Sequence, residues 1–376
     1  MDQDSQQTQA FSQVDVKSLS CTTEPTSSEL APQLNTTISS SNTLKSPPKP
    51  QDAERIGHYA RKAMKKALGK IVRYEKAVLQ DTDIEALHQM RIGLRRLRTT
   101  IVTFEQVLAF PESVRDITLK PLAKRLGRVR DLDVLLLALR DRHRPHLPKK
   151  ERKTLDKIIS RLQTKRDRQF KRMKRFLLSK DYKTLKENVR YFYKQLGTPG
   201  GPTNQAASWP IQLALPDLLL PVLSQTLLHS GWLATPPGLS LGHVKGEGDD
   251  NAIALVNRWL DQDGTILHDL RKQIKQLRYQ ADFFAPQYDD TYGQHIKDFK
   301  TIQDVLGTFQ DNWVLAQTLQ QLDGPSWKKH LPSLYQQMQQ DLWHTWQQWE
   351  TIREQYISAD MRLHLRTMML HPLQPQ

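Results

Sequence analysis

A single cysteine, Cys21, stands among 376 residues, which excludes intrachain disulfides and thiolate metal sites. No apolar run approaches the roughly 20 residues that a membrane span requires. The opening residues MDQDSQQTQ have neither a basic stretch nor an apolar one, so no secretory signal is visible and the expected setting is reducing and cytoplasmic, with no membrane partner. Neither a G-x-x-x-x-G-K phosphate loop nor an H-E-x-x-H metal pair occurs, which argues against the common routes to phosphotransfer and metal-dependent hydrolysis. His143 and His146, in a proline-bounded segment, are a weak metal signal, and the reading carries no metal, cofactor or catalytic residue. Aromatics make up only 7% of the chain. Few of them are interleaved with the basic residues, whereas single-stranded nucleic acid is usually held by stacking on surface aromatics.

What the chain has in excess is positive charge, unevenly placed. The net charge is +15, yet residues 51–195 hold 39 Lys/Arg against 17 Asp/Glu, and residues 196–376 hold 13 against 18. The first of these segments should dominate attraction of a polyanion. Within it, HQMRIGLRRLR (His88 to Arg98) returns as HDLRKQIKQLR (His268 to Arg278) at an offset of 180. His88, Arg91, Arg95 and Arg98 answer His268, Arg271, Lys275 and Arg278. At about 100° per residue these four positions fall within roughly 80° of one another on a helix. Each copy is then a cationic stripe about 15 Å long, at about 1.5 Å per residue. A fold needs its leucines repeated, as Leu87/Leu267 and Leu97/Leu277 are; it does not need its cations repeated. A doubled cationic stripe points to an extended anion, with its side chains expected on an exposed basic face.

The repeat holds its register further on. RLGRVRDLDVL from Arg125 aligns with VLGTFQDNWVL from Val305, so that Gly127 and Asp131 meet Gly307 and Asp311, and Lys120 meets Lys300. This reads as a tandem duplication. An H-x-x-R-x-x-x-[RK]-x-x-R helix followed by a K…L-G-x-x-x-D helix, each occurring twice, resembles the CHAD domain, the conserved histidine α-helical domain, over roughly residues 51 to 370. The resemblance implies two helical bundles related by a pseudo-twofold axis around a basic groove. It also implies binding of inorganic polyphosphate and, for some members, association with polyphosphate granules. The E-x-E-x-K strand of the CYTH domains fused to some members does not occur, so the resemblance implies a stand-alone binding module rather than an enzyme.

Along the chain, residues 1–50 are rich in Ser, Thr and Gln and are expected to form a disordered leader. The first helical repeat spans 51–195, a linker 196–212, and the second repeat 213–370, with an unmatched loop at 235–250. Persistent strand alternation is missing, so the class is all-α. Asp81 and Asp83 supply the start of the first motif helix, which is expected to run to Pro111, followed by a helix over 114–140. From Lys149 to Leu178 a helix carries a long exposed stripe of Lys and Arg. In the second repeat a helix is expected from Ala214 with a kink or late start at Pro221, and Trp343, Trp346 and Trp349 are core anchors.

The residues taken to contact polyphosphate are the two stripes together with Lys120, Lys124, Arg128, Arg130 and Lys300. Arg offers a donor fork and Lys a point charge to phosphate oxygens, and histidine beside phosphates becomes a better cation. Asp131 and Asp311 are expected to pair with neighbouring cations and orient them. Gly127 and Gly307, at about 1 kcal/mol relative to Ala inside a helix, are expected where helices or ligand approach closely. The second copy is the weaker site, because Arg96, Lys124, Arg128 and Arg130 become Gln276, Asp304, Thr308 and Gln310. The rival readings are a nucleic-acid-binding helical protein, for which no specific motif appears, and, behind it, a phosphate-metabolising enzyme.

Overall fold

A computed structural model describes residues 54–196, 198, 205–238 and 250–373. The leader, the linker residues 199–204 and most of the 235–250 loop lie outside them. The described chain is all-helical. The helices are α1 (Ile56–Gln80), α2 (Ile84–Phe104), α3 (Asp116–Leu137), α4 (Lys149–Leu177), α5 (Lys180–Gln195), α6 (Ile211–Leu227), α7 (Asp250–Asp263), α8 (Thr265–Phe284), α9 (Asp290–Asp323), α10 (Trp327–His330), α11 (Pro332–Ile357) and α12 (Ala359–Leu370). The one strand-like contact among the described residues is a bridge between Arg55 and Pro210, which ties the start of α1 to the start of α6.

Local chemistry sets most boundaries. Asp83 caps α2, its carboxylate accepting from the Glu85 N–H at 2.8 Å, as an N-cap should. Asp81 instead ends α1 in the left-handed region at φ 57°. The first motif helix stops at Phe104, short of Pro111, because Leu108 and Phe110 turn back into the core. Helix α3 runs into a π-turn at Ala138–His143 rather than a loop. There His143 is buried and its Nδ1 lies 3.2 Å from Gln337 Oε1, so it bridges α3's extension to α11. Helix α6 passes through both Pro216 and Pro221 without a late start. Its buried stripe of Leu215, Leu219, Val222 and Leu223 outweighs the hydrogen bonds that the prolines remove.

The apolar core joins the two halves of the sequence. The main cluster runs from α1, α2 and α3 into α6, α8, α9, α11 and α12. Trp346 and Trp349 are fully buried and Trp343 nearly so; Trp349 stacks on Trp232 with centroids 5.4 Å apart. A second cluster packs Leu132, Leu136, Leu155 and Leu162 of α3 and α4 against Leu315, Leu319, Trp327, Leu334 and Met338 of α9 to α11. Across the centre, the Tyr59 hydroxyl of α1 donates to the Phe283 carbonyl of α8 at 2.7 Å. Tyr59, Phe104, Phe283 and Phe284 form an aromatic knot with centroid separations of 4.9 to 6.5 Å. That knot holds the two motif helices α2 and α8 against each other.

Candidate anion-binding groove

Where α2, α3 and α8 meet, they leave an open groove of about 1010 Å³. Eight cations line it: Arg91, Arg95 and Arg98 from α2, Lys120, Lys124 and Arg128 from α3, and Lys272 and Lys275 from α8. Only two carboxylates accompany them, Asp116 and Asp131. Asp116 is clamped by Arg98, which reaches its two oxygens at 2.6 and 3.0 Å, with Lys120 at 3.8 Å. Lys124 and Arg128 are exposed and free of ion pairs among the described residues.

The groove floor is more enclosed than the stripes led one to expect. Arg91, Arg95, Arg98, Arg271, Lys275 and Arg278 are all half-buried rather than spread over an exposed face, because the stripes face the α2–α8 junction. Desolvation lowers the pKa of Arg91 and Arg95, opposed by Asp131 and Tyr279 respectively. Lys275 is pushed down to about 8, first by burial and then by Arg95, Arg271 and Arg91, against the pull of Asp131. Cations crowded this closely without neutralising acids are stabilised by an anion placed among them.

Both motif glycines explain themselves here. A Cβ on Gly127 would lie 2.9 Å from Arg91 Nη1, and one on Gly307 would lie 3.3 Å from Arg271 Nε and Nη2. Each glycine makes room for the motif arginine of its own half, not for a ligand backbone. Asp131 and Asp311 make no direct ion pair among the described residues, contrary to expectation. Asp131 sits electrostatically among Arg91, Lys275, Arg130 and Arg271, and Asp311 beside Arg271. Both carboxyls keep a solvent-facing edge, yet desolvation by the surrounding protein raises their pKa more than the cations lower it.

Six of the proposed contacts do not line this groove. Arg278 turns into an adjoining cavity of about 560 Å³, which shares Arg95, Thr99 and Tyr279 with the groove and adds Lys62, Lys66 and Arg96. Its Nε donates to Gln303 Oε1 at 3.0 Å. Lys300 is exposed and paired with Asp304 at 3.2 Å, Arg271 is folded over Gly307, and Arg130 stands beside His88 and Asp131. The histidines, anticipated as cations beside phosphates, lie outside the groove lining. Burial, then Arg130, lowers the pKa of His88; burial, then Lys272 and Arg271, lowers that of His268. His268 lines a different cavity altogether.

Two groove residues escaped the sequence reading. The Tyr279 hydroxyl accepts from Arg95 Nη1, and the guanidinium carbons of Arg95 and Arg278 each lie 4.4 Å from its ring centroid. Lys272 pairs with Asp269 at 2.7 Å. The available signal was spacing: Arg271, Lys275 and Tyr279 recur every four residues, one face of a helix. The basic stripe of α4 is exposed as expected but does not line the groove. One residue on another face of that helix, Arg166, is instead buried, with Asp133 at 2.8 Å and Asp81 on its other nitrogens.

The CHAD domain model matches residues 62–320, a span that takes in every motif residue described above. The chain belongs to the CHAD domain family. Among solved structures, this CHAD protein is similar to the CHAD domain from the plant Ricinus communis, with a TM-score of 0.51 and 21% identity over 86% of this chain and 95% of that one. It is also similar to PptA from Streptomyces chartreusis, with a TM-score of 0.55 and 17% identity over 80% of this chain and 100% of that one. At these identities the likeness concerns the fold. No curated protein sequence matches the chain.

Proposed function

We propose that this CHAD protein binds inorganic polyphosphate in the α2–α3–α8 groove as a non-catalytic module. The observation that carries the reading is the imbalance of eight cations to two carboxylates, one of which Arg98 already occupies. A linear polyanion without bases or sugars can be recognised only through charge and hydrogen-bond donors, and Arg and Lys on packed helices supply both with little ordering cost. The groove opens into the cavity bearing Lys62, Lys66 and Arg96, so a long chain finds cations beyond the reach of a single phosphate. Nucleic acid is the poorer fit. The one aromatic of the groove, Tyr279, has two guanidiniums against its ring, and a base would have to displace them. Asp116 is held by Arg98 and Asp131 stands as a lone carboxylate among cations, a poor arrangement for organising a metal and a nucleophile, so we propose no turnover. Recruitment to polyphosphate granules is the corresponding expectation in the cell.

The test is isothermal titration with long-chain polyphosphate, ATP, orthophosphate and duplex DNA at near-physiological salt. Long-chain polyphosphate should bind tightest, with affinity falling as salt rises. Replacing the exposed, unpaired Lys124 and Arg128 by Ala should weaken it about tenfold or more, at roughly 1 kcal/mol or so per lost charge-assisted contact, with helicity unchanged. Equal affinity for ATP, or no loss in the double variant, refutes the groove as the site.

A further inference from the structure

A cavity of about 220 Å³ lies between α7, α8, α9, α10 and α11, on the side of His268 away from the groove lining. Its wall carries Asp261, Asn257, His268 and the aromatic side chains of Trp313, Phe309 and Tyr335. Asn257 is 8% exposed; its Nδ2 donates to the Ile253 carbonyl at 2.8 Å, but its Oδ1 is buried with no partner. His268 Nδ1 is likewise buried and unpartnered. Asp261 makes no ion pair among the described residues, and Trp313 is 46% exposed. A buried acceptor left open costs on the order of 1–3 kcal/mol, so Asn257 Oδ1 asks for a donor.

The first half of the sequence shows what kind of donor. At the offset of 180, Asp261 answers Asp81 and Trp313 answers Asp133. Asp81 and Asp133 are bridged by the buried guanidinium of Arg166. The second half keeps one of the two carboxylates, exchanges the other for an indole, and has no arginine in the wall. An indole face is itself a surface for a cation. The cation present, Lys328, is turned to Tyr335, 4.5 Å from the ring centroid and 3.4 Å from the hydroxyl. Residues 196–376 also carry a net charge of −5, opposite in sign to the first half.

We infer that this cavity is a receptor for a small organic cation, a guanidinium or amine on a short apolar stem, held by Asp261 and Asn257 and packed on Trp313. The ligand stands where Arg166 stands in the first half. This site is independent of the polyphosphate reading.

Butylguanidine is a suitable probe, with butylurea as its uncharged counterpart, titrated into the full chain by calorimetry and followed by tryptophan fluorescence. Butylguanidine should bind and quench or shift the emission, and butylurea should not. Asp261→Asn and Trp313→Ala should each weaken butylguanidine at least tenfold while leaving polyphosphate affinity unchanged. Both side chains are exposed enough for the variants to fold, which circular dichroism checks. Butylguanidine binding no tighter than butylurea, or undiminished in Asp261→Asn, overturns the inference, whatever the outcome for polyphosphate.

Discussion

Lys275 offers the sharpest test of the groove. Burial, then the crowding of Arg95, Arg271 and Arg91, holds its pKa at about 8 in the free protein, below the ordinary 10.5. A phosphate chain laid among Arg91, Arg95 and Lys275 supplies the missing counter-charge and should restore the ordinary value. The complex then keeps its proton while the free protein loses it, so affinity falls as pH rises through 8. With those two values, linkage gives a fall of about tenfold between pH 7 and pH 9, or about 1.4 kcal/mol. At pH 8, binding should take up about half a proton, visible as a dependence of calorimetric heat on the ionisation enthalpy of the buffer. His88 and His268 lie outside the groove lining, so the slope is assigned to Lys275. Lys275→Arg keeps the charge at all these pH values and should flatten the profile. Affinity that is flat from pH 7 to 9 in the wild type, or that falls equally in Lys275→Arg, refutes the placement of the anion beside Lys275.

Other perturbations follow from the same packing. Gly127→Ala gains about 1 kcal/mol of helix propensity but puts a Cβ 2.9 Å from Arg91 Nη1, so the guanidinium must swing aside; stability should hold or rise while polyphosphate affinity drops several-fold, and a variant that binds as wild type would contradict Arg91's role. Arg166→Ala leaves Asp133, 4% exposed, without its partner, which should cost about 3–5 kcal/mol. Thermal unfolding measures that loss, and an unchanged Tm would show the buried ion triad to be dispensable.

The helices and most of the first-half cations were legible in the sequence because both follow from periodicity: residues three and four apart share a face whatever that face meets. Arg91, Arg95, Lys120, Lys124 and Arg128 needed no more than that. What periodicity cannot supply is the docking of one helix on another. The Arg98–Asp116 clamp joins α2 to the start of α3, and nothing in the spacing announces it. The histidines show the same limit. Each stands three residues before the first arginine of its stripe, and the groove takes Arg91, Arg95 and Arg98 from one stripe but only Lys275 from the other, so matched positions in two copies did not become matched positions at one site. Tyr279 was hidden differently: its counterpart at the offset of 180 is Thr99, and a reading built on what the copies share passes over what they do not.

The second apolar cluster, in which α3 and α4 pack on α9, α10 and α11, bears on how such a chain becomes a protein. A polypeptide emerging as far as α5 already holds its full complement of groove arginines, yet the apolar face that Leu155 and Leu162 share with Leu132 and Leu136 still lacks its far side. It is covered only when residues more than a hundred and fifty positions later arrive. The earlier and later parts of the chain thus share this core: neither could be shed without uncovering apolar side chains of the other.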